Sequence, residues 1–140
     1  MIDLTKSETG VWTVTINRPD KANSLTPDML TDLRDIARDA QSARGFIITG
    51  AGRVFSAGAD LDAARAGFAT SPLWEELSSA IAALPCLSVA ALNGTLAGGA
   101  NGMALACDIR IAVQGAKVFY PVMKLGYMPQ PSDPRRMAAL

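Results

Sequence analysis

Val11–Ile16 sets Trp12, Val14 and Ile16 against intervening threonines, the period-two pattern of a half-buried strand, and Asn17-Arg18-Pro19-Asp20-Lys21 ends it. Thr26 then suits a helix cap, with Pro27 at the first helical position and Asp28 in the first turn. Met29, Leu30, Leu33, Ile36, Ala37 and Ala40 form one apolar stripe behind them. Phe46-Ile47-Ile48-Thr49 is short, apolar and bounded by Gly45 and Gly50, which predicts a strand buried on both faces. Strand, helix, strand is a crossover unit. Val54-Phe55-Ser56 reads as another short strand running into Ala57-Gly58-Ala59-Asp60, followed by a helical turn or two over Leu61–Ala66. Ser71-Pro72 starts a second amphipathic helix with Leu73, Trp74, Leu77, Ala80, Ile81 and Leu84 inward, and Pro85 stops it. Leu87–Leu92 is a strand, Gly98-Gly99 precedes a helix over Asn101–Ala106, Ile109–Val113 alternates again, Val118–Val122 is a further strand, and a helix starts near Ser132. The order β, α, β, β, α, β, α, β, β, with no repeat or linker, predicts one α/β domain over residues 1–140.

Composition narrows the chemistry. Apolar residues make up 49% of the 140 and charged ones 19%, which excludes disorder and leaves a chain more apolar than its length requires. Thirteen Lys and Arg balance thirteen Asp and Glu without a basic stripe, so a nucleic-acid partner is not expected. Histidine is absent, which removes Ser-His-Asp triads, Cys-His dyads and every His-containing metal site. Cys86 and Cys107 lack CxxC spacing and no charged-then-apolar leader opens the chain, so reduced thiols and a cytoplasmic location are expected. The uncharged stretch from Cys86 to Cys107, with Gly94, Gly98 and Gly102 at GxxxG spacing, imitates a membrane helix. Asn93-Gly94 and the following glycines would break such a helix, and no membrane association is expected.

Ala57-Gly58-Ala59-Asp60 and Gly98-Gly99-Ala100 share a design: a strand, a turn of residues with little or no side chain, then a helix. The first amides of a helix have no acceptor within it and carry partial positive charge, so two converging turns of this kind would make an oxyanion hole. Small residues at these turns serve equally to let strand and helix pack closely, and spacing alone leaves both readings open. A dinucleotide fingerprint is not met: Gly50-Ala51-Gly52, followed by Arg53, Val54 and Phe55, fails at the third glycine. Gly98-Gly99-Ala100-Asn101-Gly102 lacks the first glycine of G-x-G-x-x-G and has no acidic residue about twenty positions on.

Asn17-Arg18-Pro19 with Asn23-Ser24-Leu25, Phe55-Ser56-Ala57-Gly58-Ala59-Asp60-Leu61, Asn93-Gly94 with Ala97-Gly98-Gly99, and Leu105-Ala106-Cys107-Asp108 follow one another in order. Together they resemble the enoyl-CoA hydratase/isomerase (crotonase) family from about Ile2 to Leu140. The resemblance implies that family's ββα spiral core, with its C-terminal helical region absent here, and only two helical turns remain after Asp133. It also implies an acyl-CoA as substrate or ligand, no separate cofactor, and a homotrimer or hexamer. The thioester oxygen would be held by the backbone amides of Ala59 and Gly99, with Ala57, Gly58, Asp60 and Gly98 around the acyl-CoA. Arg18 and Lys21 stand where the family often places cations for CoA phosphates; they read equally as solvated turn charges.

The chain departs from the hydratase pattern at both of its glutamates, which correspond to Gly102 and Val122. Neither residue titrates, so general acid–base hydration has no evident source. Asp62 after the first turn and Asp133 near the last helix are the replacement candidates, with Tyr120 and Tyr127 flanking Val122. Asp62 and Asp133 also suit helix starts, and the tyrosines suit packing. Asp108 belongs to the framework. Two outcomes stay open: an enolate-stabilising enzyme of hydratase or isomerase type, or a non-catalytic acyl-CoA binder, an inactive or truncated paralogue.

Overall fold

A computed structural model describes residues 1–139, and two sheets organise it, parallel throughout except for the antiparallel pair of the first two strands. Strands β1 (Ile2–Lys6), β2 (Val11–Ile16), β3 (Gly45–Gly50), β5 (Leu87–Leu92) and β7 (Ile109–Ala112) form the larger sheet in the order β1-β2-β3-β5-β7. Strands β4 (Val54–Ser56), β6 (Thr95–Ala97) and β8 (Val118–Phe119) form the smaller one. Helices α1 (Pro27–Asp39), α2 (Leu61–Arg65), α3 (Leu73–Ala82), α4 (Asn101–Ala106) and α5 (Asp133–Ala138) complete the chain. Each strand β3, β5 and β7 of the large sheet leads directly into β4, β6 and β8 of the small sheet, and then into helix. The same step therefore repeats as a spiral, the ββα core that the motifs implied. An isolated parallel bridge from Leu25 to Ala59 adds a first, minimal turn to it.

The helices follow local rules. The Thr26 hydroxyl accepts from the Met29 amide at 3.3 Å, Pro27 opens α1, and Met29, Leu30, Leu33 and Ala37 are buried along its stripe. Helix α3 buries Trp74, Leu77, Ser78 and Ile81, and ends at Ala82, short of Pro85. These faces close over Val14, Ile16, Phe46 and Ile48 of the large sheet to make one core with Phe55, Leu96 and Met103. The segment from Cys86 to Cys107 folds as β5, β6, a tight turn and α4. Among the described residues no helix is long and apolar enough to cross a membrane.

Four details differ from the sequence pattern. Strand β1 carries no alternation, because only Ile2 is even half-buried; it is held by antiparallel pairing along β2, from Ile2 opposite Ile16 to Lys6 opposite Trp12. Strand β6 is three residues long, too short for a period to show. Ile47 and Thr49 of β3 are half-buried rather than buried, so the strand is enclosed on one face only. The strand expected over Val118–Val122 stops at Phe119; Pro121 offers no amide to a ladder, and Val122–Leu125 winds into a 3₁₀ turn.

Candidate active site

The two glycine turns meet. Gly58 has a φ of +90°, and a Cβ placed on it would lie 2.9 Å from the Ala97 carbonyl oxygen and 3.5 Å from the Gly99 nitrogen. The turns can approach this closely only because position 58 has no side chain. In the bridge between Leu25 and Ala59, the Leu25 amide donates to Gly58 O and the Asp60 amide donates to Leu25 O, both at 2.8 Å. The Ala59 amide is thus not spent on the bridge and faces its other side. Gly99 lies in a 3₁₀ turn at the start of α4, where amides have no acceptor within the helix. Among the described residues neither amide has a backbone or side-chain acceptor.

Both turns open on one cavity of about 190 Å³, lined by Ala57, Ala59, Gly98 and Gly99 together with Trp74, Tyr120, Val122 and Tyr127. Trp74 is its floor. A Cβ on Gly99 would lie 3.2 Å from the Trp74 ring, whose Nε1 donates to Phe68 O at 3.0 Å while Phe68 packs at a 5.1 Å centroid distance. The Asn101 side-chain Nδ2 donates to Gly98 O at 2.8 Å and to Phe119 O at 3.1 Å, which ties the second turn to β8. Nothing in the local pattern around Trp74 or Asn101 distinguishes these roles from ordinary core and helix-start positions.

The predicted site residues separate into groups. Arg18 is committed to the framework: its Nη1 donates to Asp60 Oδ2 at 2.8 Å and to the Ser24 carbonyl and hydroxyl at 3.1 Å. Asp60 is held below the usual carboxylate range, chiefly by Arg18 and then by the Ala63 amide, and its Oδ1 caps α2. Lys21 is exposed and borders a second depression with Ala57, Ala59 and Arg65. Asp62 is 92% exposed and pairs with Arg65, on that depression rather than in the cavity. Asp108 accepts from the Ser88 amide and hydroxyl at 2.8 Å, a staple of β5 to the α4–β7 turn.

Asp133 is the opposite case. It is fully buried behind the cavity wall and accepts from the Tyr120 hydroxyl at 2.5 Å through Oδ2. Among the described residues its Oδ1 has no hydrogen-bond partner. Burial raises the Asp133 carboxyl above its ordinary range, against the opposing pull of the Tyr120 hydrogen bond and of Arg136. The Tyr120 phenol is raised too, by burial first and by Asp133 next. Helix α5 itself is anchored by Glu75 of α3, which accepts from the Ser132 amide at 3.2 Å and hydroxyl at 2.9 Å. Gly102, where hydratases are expected to carry a glutamate, faces this group: a Cβ there would lie 3.0 Å from Asp133 Oδ1. The buried aspartate therefore fills the ground next to the missing side chain.

Residues 6–136 match the enoyl-CoA hydratase/isomerase family. The chain belongs to that family. An enoyl-CoA hydratase from Mycobacterium avium subsp. paratuberculosis superposes with a TM-score of 0.88 at 38% identity, over 99% of this chain and 55% of its own. The 1,2-epoxyphenylacetyl-CoA isomerase of Escherichia coli is 34% identical across 90% of this chain and 53% of its own. An ethylmalonyl-CoA decarboxylase of Xenopus laevis is 30% identical across 91% and 46%. The chain spans about half the length of the curated relatives it matches.

Proposed function

We propose that this member of the enoyl-CoA hydratase/isomerase family binds an acyl-CoA by its thioester and stabilises the derived enolate, with the Ala59 and Gly99 amides as donors to the thioester oxygen. The observation that carries this is the convergence of two turns with unspent amides on one largely apolar cavity. A preorganised donor aimed at a developing oxyanion contributes about 3 kcal/mol in comparable sites. The named relatives are a hydratase, an isomerase and a decarboxylase, and a CoA thioester is what their names share. Lys21 and Arg65, on the depression that adjoins the cavity through Ala57 and Ala59, would face the CoA phosphates, while Arg18 acts indirectly by holding Asp60. Two free cysteines support a cytoplasmic setting.

Titration calorimetry with butyryl-CoA is expected to show saturable heat, and a hundredfold excess over Kd should stabilise the fold by about 2.7 kcal/mol, read as a higher Tm. NAD should do neither. Absence of heat and of a thermal shift with butyryl-CoA contradicts the proposal. A second reading, a binder without catalysis, is favoured by one observation: neither Gly102 nor Val122 can titrate. It requires that acyl-CoA bind and come away unchanged.

We also infer a homotrimer or hexamer. Ile111 at 62%, Val118 at 59% and Phe119 at 47% exposure lie on β7 and β8, the outer strands of both sheets, and leave apolar edge surface in solvent. Light scattering at micromolar concentration should report a trimer or a multiple of it; a monomer would contradict this.

A further inference from the structure

We propose that Tyr120 is the proton-transferring residue of the site: its phenol oxygen takes the α-proton of the bound acyl thioester while its own proton passes to Asp133. The assignment rests on the acyl-CoA reading above and names the chemistry that this cavity can perform.

Elimination points to Tyr120 first. Among the described residues no carboxylate, amine or thiol lines the cavity; apart from the committed indole of Trp74, the polar side chains there are Tyr120, Tyr127 and Gln130. An amide does not take a proton at ordinary pH. Of the two phenols, only Tyr120 has an acceptor behind it among the described residues, the Asp133 Oδ2 at 2.5 Å. The second observation is independent: Asp133 is fully buried, and its other oxygen has no partner. A buried carboxylate left half-satisfied is a costly anion, and taking up a proton relieves that cost. The elements packed around Asp133 bring few titratable groups to it. Tyr120 follows β8, Arg136 is on its own helix, Glu75 comes from α3, and α4 brings only Gly102. Burial makes Asp133 a stronger base than an exposed carboxylate, whereas Tyr120 resists ionisation. Tyr120 therefore works as a conduit that touches substrate, and Asp133 is the positioning residue that acts through it.

The step balances. The α-carbon–hydrogen bond breaks, its electron pair enters the enolate, and the negative charge settles on the thioester oxygen at the Ala59 and Gly99 amides. The phenol oxygen gains the substrate proton and loses its own to Asp133 Oδ2. Reversal returns a proton to the α-carbon, or to the γ-carbon when the substrate is unsaturated. No water, oxidant or co-reactant is consumed, so the substrate class is an acyl-CoA with an acidic α-proton, and the net change is proton exchange or a shift of its double bond rather than hydration.

The test follows exchange of the butyryl-CoA α-protons in D2O by NMR, beside calorimetric Kd values, for the full chain and for Tyr120→Phe and Asp133→Asn. Tyr120→Phe should slow exchange by about 10²-fold or more while Kd stays within about threefold, the signature of an interaction made in the transition state. The unmodified protein supplies a readout that needs no variant to fold. Because the relay requires ionised Asp133, exchange should climb with pH through an inflection above the ordinary carboxylate range. Asp133→Asn, which keeps an oxygen for the Tyr120 hydroxyl, should be slow and lose that inflection. Binding without exchange, exchange without the inflection, or a folded Tyr120→Phe that exchanges at the unmodified rate would each overturn the relay and leave the binding reading standing. Failure of butyryl-CoA to bind would overturn both.

Discussion

Crotonyl-CoA hydration by this chain is expected to run at least about 10⁴-fold slower than by a family member carrying both glutamates, because a general acid and a general base each contribute about 10²–10⁴. Restoring both carboxylates with Gly102→Glu and Val122→Glu is expected not to suffice. A Cβ at position 102 would stand 3.0 Å from Asp133 Oδ1 and 3.3 Å from Oδ2, so the new side chain enters ground already held by a buried carboxylate. Overpacking there costs about 1–3 kcal/mol, and a second carboxylate beside the first forces one of them to keep its proton. Adding Asp133→Ala removes both conflicts. The triple variant should therefore hydrate crotonyl-CoA measurably faster than the double variant, as followed by loss of enoyl-thioester absorbance, with circular dichroism confirming that each folds. Equal rates for the two would show that Asp133 does not compete with a glutamate at 102. Fast hydration by the unmodified protein would show that the missing glutamates have been replaced in function.

Gly58→Ala is expected to abolish acyl-CoA binding. The substitution places a methyl group 2.9 Å from the Ala97 carbonyl, at a φ of +90° that an alanine rarely adopts, and so must drive apart the two turns whose amides converge. Gly67 provides the matched control, since its φ is +97° but a Cβ there meets nothing within 4 Å. Both substitutions should lower stability by about 1 kcal/mol or more through backbone strain. Only Gly58→Ala should lose the calorimetric signal with butyryl-CoA. Equal binding by the two variants would mean that the approach of the turns is immaterial to the site.

Some of this was legible along the chain because the signals are local. Thr26-Pro27 and the stripe behind it announce α1 and most of its buried face, and two turns of glycine and alanine between strand and helix announce where amides are exposed. What could not be read depends on distance in sequence. Arg18 looks like a free cation at a turn, yet Asp60, 42 residues on, neutralises it. Asp62 and Asp133 look alike as acids near helix starts; one is 92% exposed and the other is completely buried. The difference arises because α5 packs on α4 at Gly102, whereas α2 projects Asp62 into solvent. Tyr120 and Asp133 are joined across an irregular stretch with a 3₁₀ turn and a left-handed Gly126, where no periodicity registers which side chains will meet. Strand β1 was silent for a related reason: its place depends on backbone pairing with β2 and hardly on side-chain burial.

The amides of Ala59 and Gly99 can be observed directly in an isotope-labelled sample by their ¹⁵N–¹H resonances. Saturation with butyryl-CoA should move both amide protons downfield as they take up the thioester oxygen, and CoA without an acyl group should leave them in place. Butyryl-CoA bound to saturation with both resonances unmoved would contradict the oxyanion site on which the account depends.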